Sequence, residues 1–275
     1  MPLFYILVFF FGAVIFLSKE FTFFCFDHQL PIIKEVAIAT IGIAGILLSV
    51  LLAGTAITSD VERKTSMTIL SKPISKGQFI TGKYFGVLLT VVSAIFFLSL
   101  VTIMTLWLAE GKPNVESLSE HGLHLKNISQ TSSEDVNLIY EKYIYDYLKT
   151  TVAGVLKGAS LCAFQIFLMS ALAVVLSLFF SLTVNAGICL LVFLVGHFSV
   201  YIYLAAKQGS AVVSALGTVF FTLFPNLDYF IGPGRMSDPY FIPLEYISFA
   251  FLYCLVYTAV ILYVGTLIYN RTELQ

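Results

Sequence analysis

The amino-acid sequence predicts an all-α membrane protein with six transmembrane helices. Of the 275 residues, 59% are hydrophobic and only 11% are charged, whereas a soluble domain carries about 25% charged residues. The chain contains 26 Phe and 15 Tyr, and so few solvated side chains cannot cover that much apolar surface in water. The composition therefore excludes a water-soluble enzyme and a disordered protein. The net charge of -1 gives no general attraction to nucleic acids.

Six apolar runs define the expected spans, because a hydrocarbon core of about 30 Å requires about 20 helical residues. Five of the runs contain no Asp, Glu, Lys or Arg. The first is shorter, but it lacks the basic start and the small-residue cleavage site of a secretory signal, so we expect a retained span. Within a single transmembrane domain over residues 1–275, the predicted spans are 2–17, 36–57, 84–108, 158–180, 184–206 and 247–269.

The two longest polar connections differ in charge, and this difference predicts the orientation. The short connection 59–83 is basic, whereas 109–150 is long and acidic; lysine and arginine in short loops mark the cytoplasmic side. We expect 59–83 in the cytoplasm, 109–150 outside, and both termini inside the cell (inner) membrane. Glu134–Lys157 is predicted to form a helix that runs into the fourth span. The cations of the short connection are Arg63, Lys64, Lys72, Lys76 and Lys83.

The segment 211–243 precedes the last span and does not match a transmembrane helix. Ala211–Phe224 is apolar but below spanning length, and several Pro and Gly residues follow it; these residues end helices and favour turns. A re-entrant or interfacial hairpin is predicted, since irregular backbone at membrane depth requires protein or a watery cavity around it. A plain outer loop with an interfacial helix remains an equal alternative.

The spans lack the groups that drive most other membrane activities. Coupling to protons or sodium normally requires acidic or His residues inside the spans, and His197 is the one ionisable His in the five longer runs. A phosphate-binding loop, a His-Glu-x-x-His metal site and a Gly-x-Ser-x-Gly nucleophile elbow are all absent from the sequence. We therefore expect no catalytic group, no metal site and no cofactor in this chain. A hydrogen bond from His197 to nearby backbone or to Ser199 is favoured over a place in a substrate route.

Small side chains form a ladder on one face of the second span. Gly45, Ser49 and Ala53 are spaced four residues apart, and such ladders let helices approach closely in lipid. A contact within one chain and a contact between two chains fit this spacing equally well.

The segment 59–86 is the most informative part of the sequence. Asp60–Leu70 can form about three helical turns before Pro73 disfavours helix in the preceding residue. Its charges scatter around the helical wheel, which favours docking on a soluble partner over binding to a membrane surface. A simpler interpretation is that Glu62 and Arg63-Lys64 are solvated charges that only fix the orientation.

The residues of this segment resemble a known family. They are Glu62, Lys64-Thr65, Ile69-Leu70, Lys72-Pro73-Ile74-Ser75, Gly82-Lys83 and Gly86, with Leu223-Phe224-Pro225-Asn226-Leu227 further on. The pattern is similar to that of permease subunits of ATP-binding-cassette exporters of the type-2 permease family.

The resemblance implies a second permease subunit, identical or related, and two separate ATPase subunits that bind ATP and Mg. The second and fifth spans would line the transport path. A cytoplasmic coupling helix between the second and third spans would transmit closure of the ATPases. The residues that the resemblance implies in coupling are Asp60, Glu62, Arg63, Lys64, Thr65 and Pro73. The alternatives are a membrane scaffold or assembly factor with the same fold, and, less favoured, a channel or secondary carrier.

Overall fold

The computed structural model describes residues 2–21, 29–62, 76–110, 133–231 and 242–272. Across these residues the chain is helical apart from short turns, and it contains seven α-helices and one 3-10 turn. Their bounds are α1 Pro2–Phe21, α2 Gln29–Glu62, α3 Lys76–Glu110, α4 Ser133–Ser177, α5 Leu182–Lys207, α6 Ala211–Leu223, the 3-10 turn Asp228–Phe230, and α7 Leu244–Thr272.

Six of the helices are long and apolar enough to cross a membrane, which confirms the predicted number of spans. Each apolar helix is longer than the predicted run, because a helix continues past the point where its sequence becomes polar. The apolar helical segments are Pro2–Glu20, Ile32–Ala56, Gly77–Ala109, Thr151–Ser177, Leu182–Lys207 and Leu244–Arg271.

These segments differ from the predicted runs in two respects. The fourth apolar helix ends at Ser177, because the chain leaves the helix in a tight turn closed by the Phe180 N–H to the Leu176 carbonyl at 2.9 Å. The helix ends also carry charges that the shorter predicted spans excluded. These charges include Lys34, Glu35, Lys83, Lys157 and Glu245.

Helix α4 contains 45 residues and is the longest element. At about 1.5 Å per residue it is about 68 Å long, more than twice the ~30 Å of a hydrocarbon core. Its first part, 133–150, precedes the apolar segment Thr151–Ser177 without a break. This confirms the prediction of a polar helix that runs directly into the fourth span.

The core of the bundle is the pair α2 and α4, which are its most buried helices. Ile41 and Leu48 of α2 and Leu161 and Ile166 of α4 are fully buried in one hydrophobic cluster to which α1, α3, α5 and α7 also contribute. Buried hydroxyls on these helices donate to the carbonyl three or four residues earlier, as Ser49 does to Gly45 at 2.7 Å. Polar side chains are thereby satisfied inside their own helix.

The bundle has two distinct ends. At the first, here called the loop end, α2 finishes, α3 begins, α4 turns into α5, and α7 finishes; Lys83 Nζ donates to the Ala56 carbonyl at 3.0 Å there. At the other, the turn end, α2 begins, α5 finishes and α7 begins; Lys157 Nζ donates to the Ile242 carbonyl at 3.1 Å there. The first bond joins the end of α2 to the start of α3, and the second joins α4 to the residues just before α7.

Candidate functional site

The small-residue ladder lies in the interface between α2 and α4. A Cβ added to Gly45 would collide with the Ile166 side chain, so the glycine is what lets the two helices touch. Ser49 and Ala53 are fully buried in the same chain. Packing within one chain accounts for the ladder, and in this arrangement these residues offer no surface to a second subunit.

The predicted coupling residues lie at the loop end or beyond the described part of the chain. Asp60 and Glu62 belong to the last turn of α2, which continues the spanning helix without a break through Glu62. The remaining four, together with the rest of the predicted helix over 60–70, lie outside the described residues. They are Arg63, Lys64, Thr65 and Pro73.

The two helices that flank this segment are fastened to each other by Lys83. In addition to its bond to the Ala56 carbonyl, its ammonium lies 5.8 Å from the centre of the Phe79 ring, within the distance of a cation–π contact. A lysine near the end of a span commonly extends its ammonium to the lipid headgroups. The structure gives it a partner inside the protein, and this hydrogen bond connects the end of α2 to the start of α3.

Helix α6 folds back along α5 and carries the chain towards the middle of the bundle. The rings of Tyr203 and Phe221 stack at 4.8 Å, and the N–H of Leu227 donates to the Gly196 carbonyl at 3.2 Å. Gly196 lies 11 residues before the end of α5 at Lys207, a depth of about 16 Å along that helix. The chain therefore reverses direction well below the turn end.

The backbone of this reversal, here called the buried turn (residues 224–231), finds hydrogen-bond partners in the protein. The Tyr253 hydroxyl accepts from the N–H of Asn226 at 2.8 Å. The Asn226 side-chain oxygen accepts from the N–H of Asp228 at 3.0 Å. Asn226 and Phe230 are buried. Satisfied backbone donors are the requirement for irregular structure at membrane depth.

A cavity of about 400 Å³ lies between α2, α4, α5 and the buried turn. Its walls are mainly aliphatic and aromatic, and an added Cβ at Gly42 on the α2 wall would meet open space. The exposed Ile43 and Ile231 mark where it reaches the surface. The lining residues are Glu35, Ile38, Ala39, Gly42, Ile43, Cys162, Gln165, Phe193, His197, Phe230 and Ile231.

Two polar side chains form a pair on the inner wall of this cavity. His197 Nδ1 lies 3.1 Å from the Phe193 carbonyl; since a carbonyl can only accept, Nδ1 carries the hydrogen. In the neutral ring Nε2 is then an acceptor, and the Gln165 amide nitrogen lies 3.5 Å from it. Gln165 is only 5% exposed, and no described residue donates to its carbonyl oxygen.

The predicted backbone bond of His197 is present, and the alternative partner is not. Ser199 is fully buried, but its hydroxyl donates to the Gly196 carbonyl at 2.9 Å instead of to the imidazole. The ring of His197 faces the cavity, so the backbone bond orients a side chain that lines a candidate binding space. The two interpretations of this residue are therefore compatible.

Sequence reasoning missed Gln165 and Glu35, although each gives a weak signal. Gln165 is the one amide side chain in the fourth apolar run, and Glu35 directly precedes the second run. Their common position depends on how α2, α4 and α5 pack, and periodicity within one helix carries no information about that.

The fold and the cavity define a multi-pass helical membrane protein with polar groups at an internal site. Comparisons with protein-family models, with curated proteins and with solved structures each gave no match. The features that bear on function are therefore taken from the chain itself: the basic segment that follows α2, the buried turn, and the Gln165–His197 pair.

Proposed function

We propose that this chain is the transmembrane subunit of an ATP-driven exporter of the ATP-binding-cassette class. It would form the substrate path with a second permease subunit and couple to two separate ATPase subunits, which bind the ATP and Mg. The observation that carries the proposal is the segment 59–86, whose residues resemble the coupling segment of type-2 permeases.

The arrangement of α2 supports a mechanical role for that segment. Asp60 and Glu62 are at one end of α2, and Glu35 and Gly42 line the cavity towards its other end. A continuous helix of 34 residues, about 51 Å long, is a stiff link between the two. A force applied to the loop end would therefore move the α2 wall of the cavity against α5.

The absence of acidic residues from the middle of the described spans favours an external energy source. Glu35 and Glu245 are near helix ends, and charged groups deep in a span are the usual sign of proton or sodium coupling. The remaining polar groups at depth are hydroxyls, thiols, amides and the imidazole of His197. Hydrolysis of ATP by a partner would supply the energy for transport in place of an ion gradient.

The same proposal accounts for the segment before the last span. We interpret α6 and the buried turn as a re-entrant hairpin on the extracytoplasmic side. Support comes from the bonds of the Asn226 and Leu227 N–H groups to Tyr253 and Gly196. A loop that lay in water would not need these partners, because water would satisfy the same groups.

Affinity purification is the first test. An ATPase with a phosphate-binding loop should co-elute with this chain, and adding the chain should stimulate ATP turnover. Glu62→Ala is expected to lower the stimulated turnover at least about fivefold, because charge pairs at a docking surface set its register. Glu245→Ala, an exposed glutamate at the turn end, is the matched control and should leave turnover unchanged.

The outcomes separate the rival functions. Co-elution without stimulated turnover would indicate a scaffold or assembly factor. Unchanged turnover in Glu62→Ala would remove the coupling role from this residue, and the lack of any ATPase partner would overturn the proposal.

Cysteine labelling tests the orientation on which coupling depends. In a Cys25→Ser background, Lys64→Cys should resist a membrane-impermeant maleimide in intact cells and react once the cells are opened. Lys112→Cys, in the long acidic connection, should react in intact cells. The three remaining cysteines (Cys162, Cys189 and Cys254) are buried and give a low background. Labelling of Lys64→Cys from outside would place the basic segment on the wrong side for an ATPase.

A further inference from the structure

The cavity beside the buried turn combines an apolar interior with an unpaired carboxylate at its edge. Glu35 forms no salt bridge with another described residue. Its sequence neighbour Lys34 lies on a different face of α2, because adjacent helical residues do not face each other, and Lys34 has contacts of its own. The electrostatic preference at this edge is therefore for a cation.

We propose that this cavity is a binding site for a small cationic amphiphile. The ammonium group would lie at Glu35, and the apolar body would enter between α2 and α5. A hydroxyl or N–H on the same ligand would donate to the carbonyl oxygen of Gln165. The site is formed by one chain and concerns binding alone, so it stands independently of an ATPase partner.

The size of the cavity selects a compact ligand. Pockets of roughly 300–1,000 Å³ hold drug-sized molecules, and this one has about 400 Å³, which is too little for both acyl chains of a phospholipid. The faces of Phe193 and Phe230 on its walls suit a fused aromatic ring, and aromatic faces also attract cations.

The polar groups on the inner wall of the cavity would also orient the ligand. The Phe193 carbonyl fixes the ring of His197 with the hydrogen on Nδ1, and the ring in turn holds the amide nitrogen of Gln165. The carbonyl oxygen of Gln165 is left as an acceptor on a side chain that is only 5% exposed. A buried acceptor without a donor costs about 1–3 kcal/mol, so a ligand that donates to it is favoured over one that does not.

Tritiated propranolol is a suitable probe, because it joins a naphthyl ring, a hydroxyl and a secondary ammonium. Its binding to the purified chain in phosphatidylcholine nanodiscs should be saturable, with empty nanodiscs as the background. Naproxen, a naphthyl carboxylate of similar size, should not compete. The propranolol analogue without the hydroxyl should compete about fivefold less well, because it leaves the Gln165 oxygen unpaired.

Three variants test the geometry. Gly42→Leu fills open space in the cavity wall and should abolish binding, whereas Gly187→Leu, at another open helical glycine, should retain it. Glu35→Gln should weaken binding about fivefold, the upper range for a partly exposed ion pair. Gln165→Leu should remove the preference for the hydroxylated ligand.

The same experiments can overturn the inference. Equal competition by naproxen, or full binding in Glu35→Gln, would show that charge does not select the ligand. Full binding in Gly42→Leu, and in Ala39→Leu on the same wall, would show that the probe binds elsewhere. If phosphatidylethanolamine in the nanodiscs displaces propranolol, the ammonium that occupies the site comes from lipid and the small-molecule assignment is wrong.

Discussion

Gly45→Leu is expected to prevent recovery of the folded protein. The added side chain must enter the α2–α4 contact, where Ile166 already occupies the position of the first added carbon. Ile166 is fully buried, so the neighbouring side chains or the backbone must shift to admit the new group. Overpacking a tight core costs about 1–3 kcal/mol and more when the backbone must shift. We expect a loss of at least about 3 kcal/mol, visible as aggregation in size-exclusion chromatography and a lower unfolding temperature in detergent.

Gly42→Leu is the matched control for this prediction. It lies one turn earlier on the same helix and makes the same chemical change, but its new side chain points into open space. We expect a monodisperse protein with near-normal unfolding temperature. If the two variants behave alike, the α2–α4 contact is not as close as the structure has it.

A third outcome would favour the alternative interpretation of the ladder, in which it forms a contact between two chains. If Gly45→Leu folds normally and only a crosslinked dimer is lost, Gly45 faces a second chain rather than Ile166. That result would also require Ser49 and Ala53, which are fully buried here, to become accessible in the assembled complex.

The parts of the fold that the sequence predicted are those set by solvation. A run of about 20 uncharged residues has one stable state in lipid, a helix with its backbone bonds satisfied internally, so the six spans could be counted directly. The extension of the fourth helix through Glu134–Lys157 was also predictable, because its sequence contains no Pro or Gly that would end it before Thr151.

The parts that the sequence did not predict are those set by contacts between helices. Lys83 resembles a headgroup anchor in sequence, and only the closeness of the α2 and α3 ends gives it the Ala56 carbonyl. Gln165 and His197 are 32 residues apart in the chain, and no pattern within α4 or α5 indicates that they meet. The coupling role of Glu62 and Lys64 remains a prediction.

Gly196→Ala is expected to dislodge the buried turn from α5. A Cβ at this position would lie 2.7 Å from Leu227 Cγ and 3.2 Å from the Pro225 carbonyl oxygen, and a backbone atom cannot rotate away as a side-chain tip can. Leu227 is itself fully buried. The turn must therefore move outward, which breaks the bond from the Leu227 N–H to the Gly196 carbonyl. We expect a loss of about 2 kcal/mol in the free energy of unfolding, measured by thermal unfolding in detergent.

The reactivity of a native thiol gives this prediction a local readout. Cys162 is buried and lines the cavity that Phe230 and Ile231 of the turn help to close. In a Cys25→Ser background, Gly196→Ala should therefore raise the rate of Cys162 alkylation by about tenfold, an opening of about 1.4 kcal/mol. Gly187→Ala, on the same helix but in open space, should change neither stability nor thiol reactivity appreciably. If Cys162 remains equally protected in both variants, the wall above it does not depend on the contact at Gly196, and the buried turn would have to be held by its bonds to Tyr253 and Tyr246.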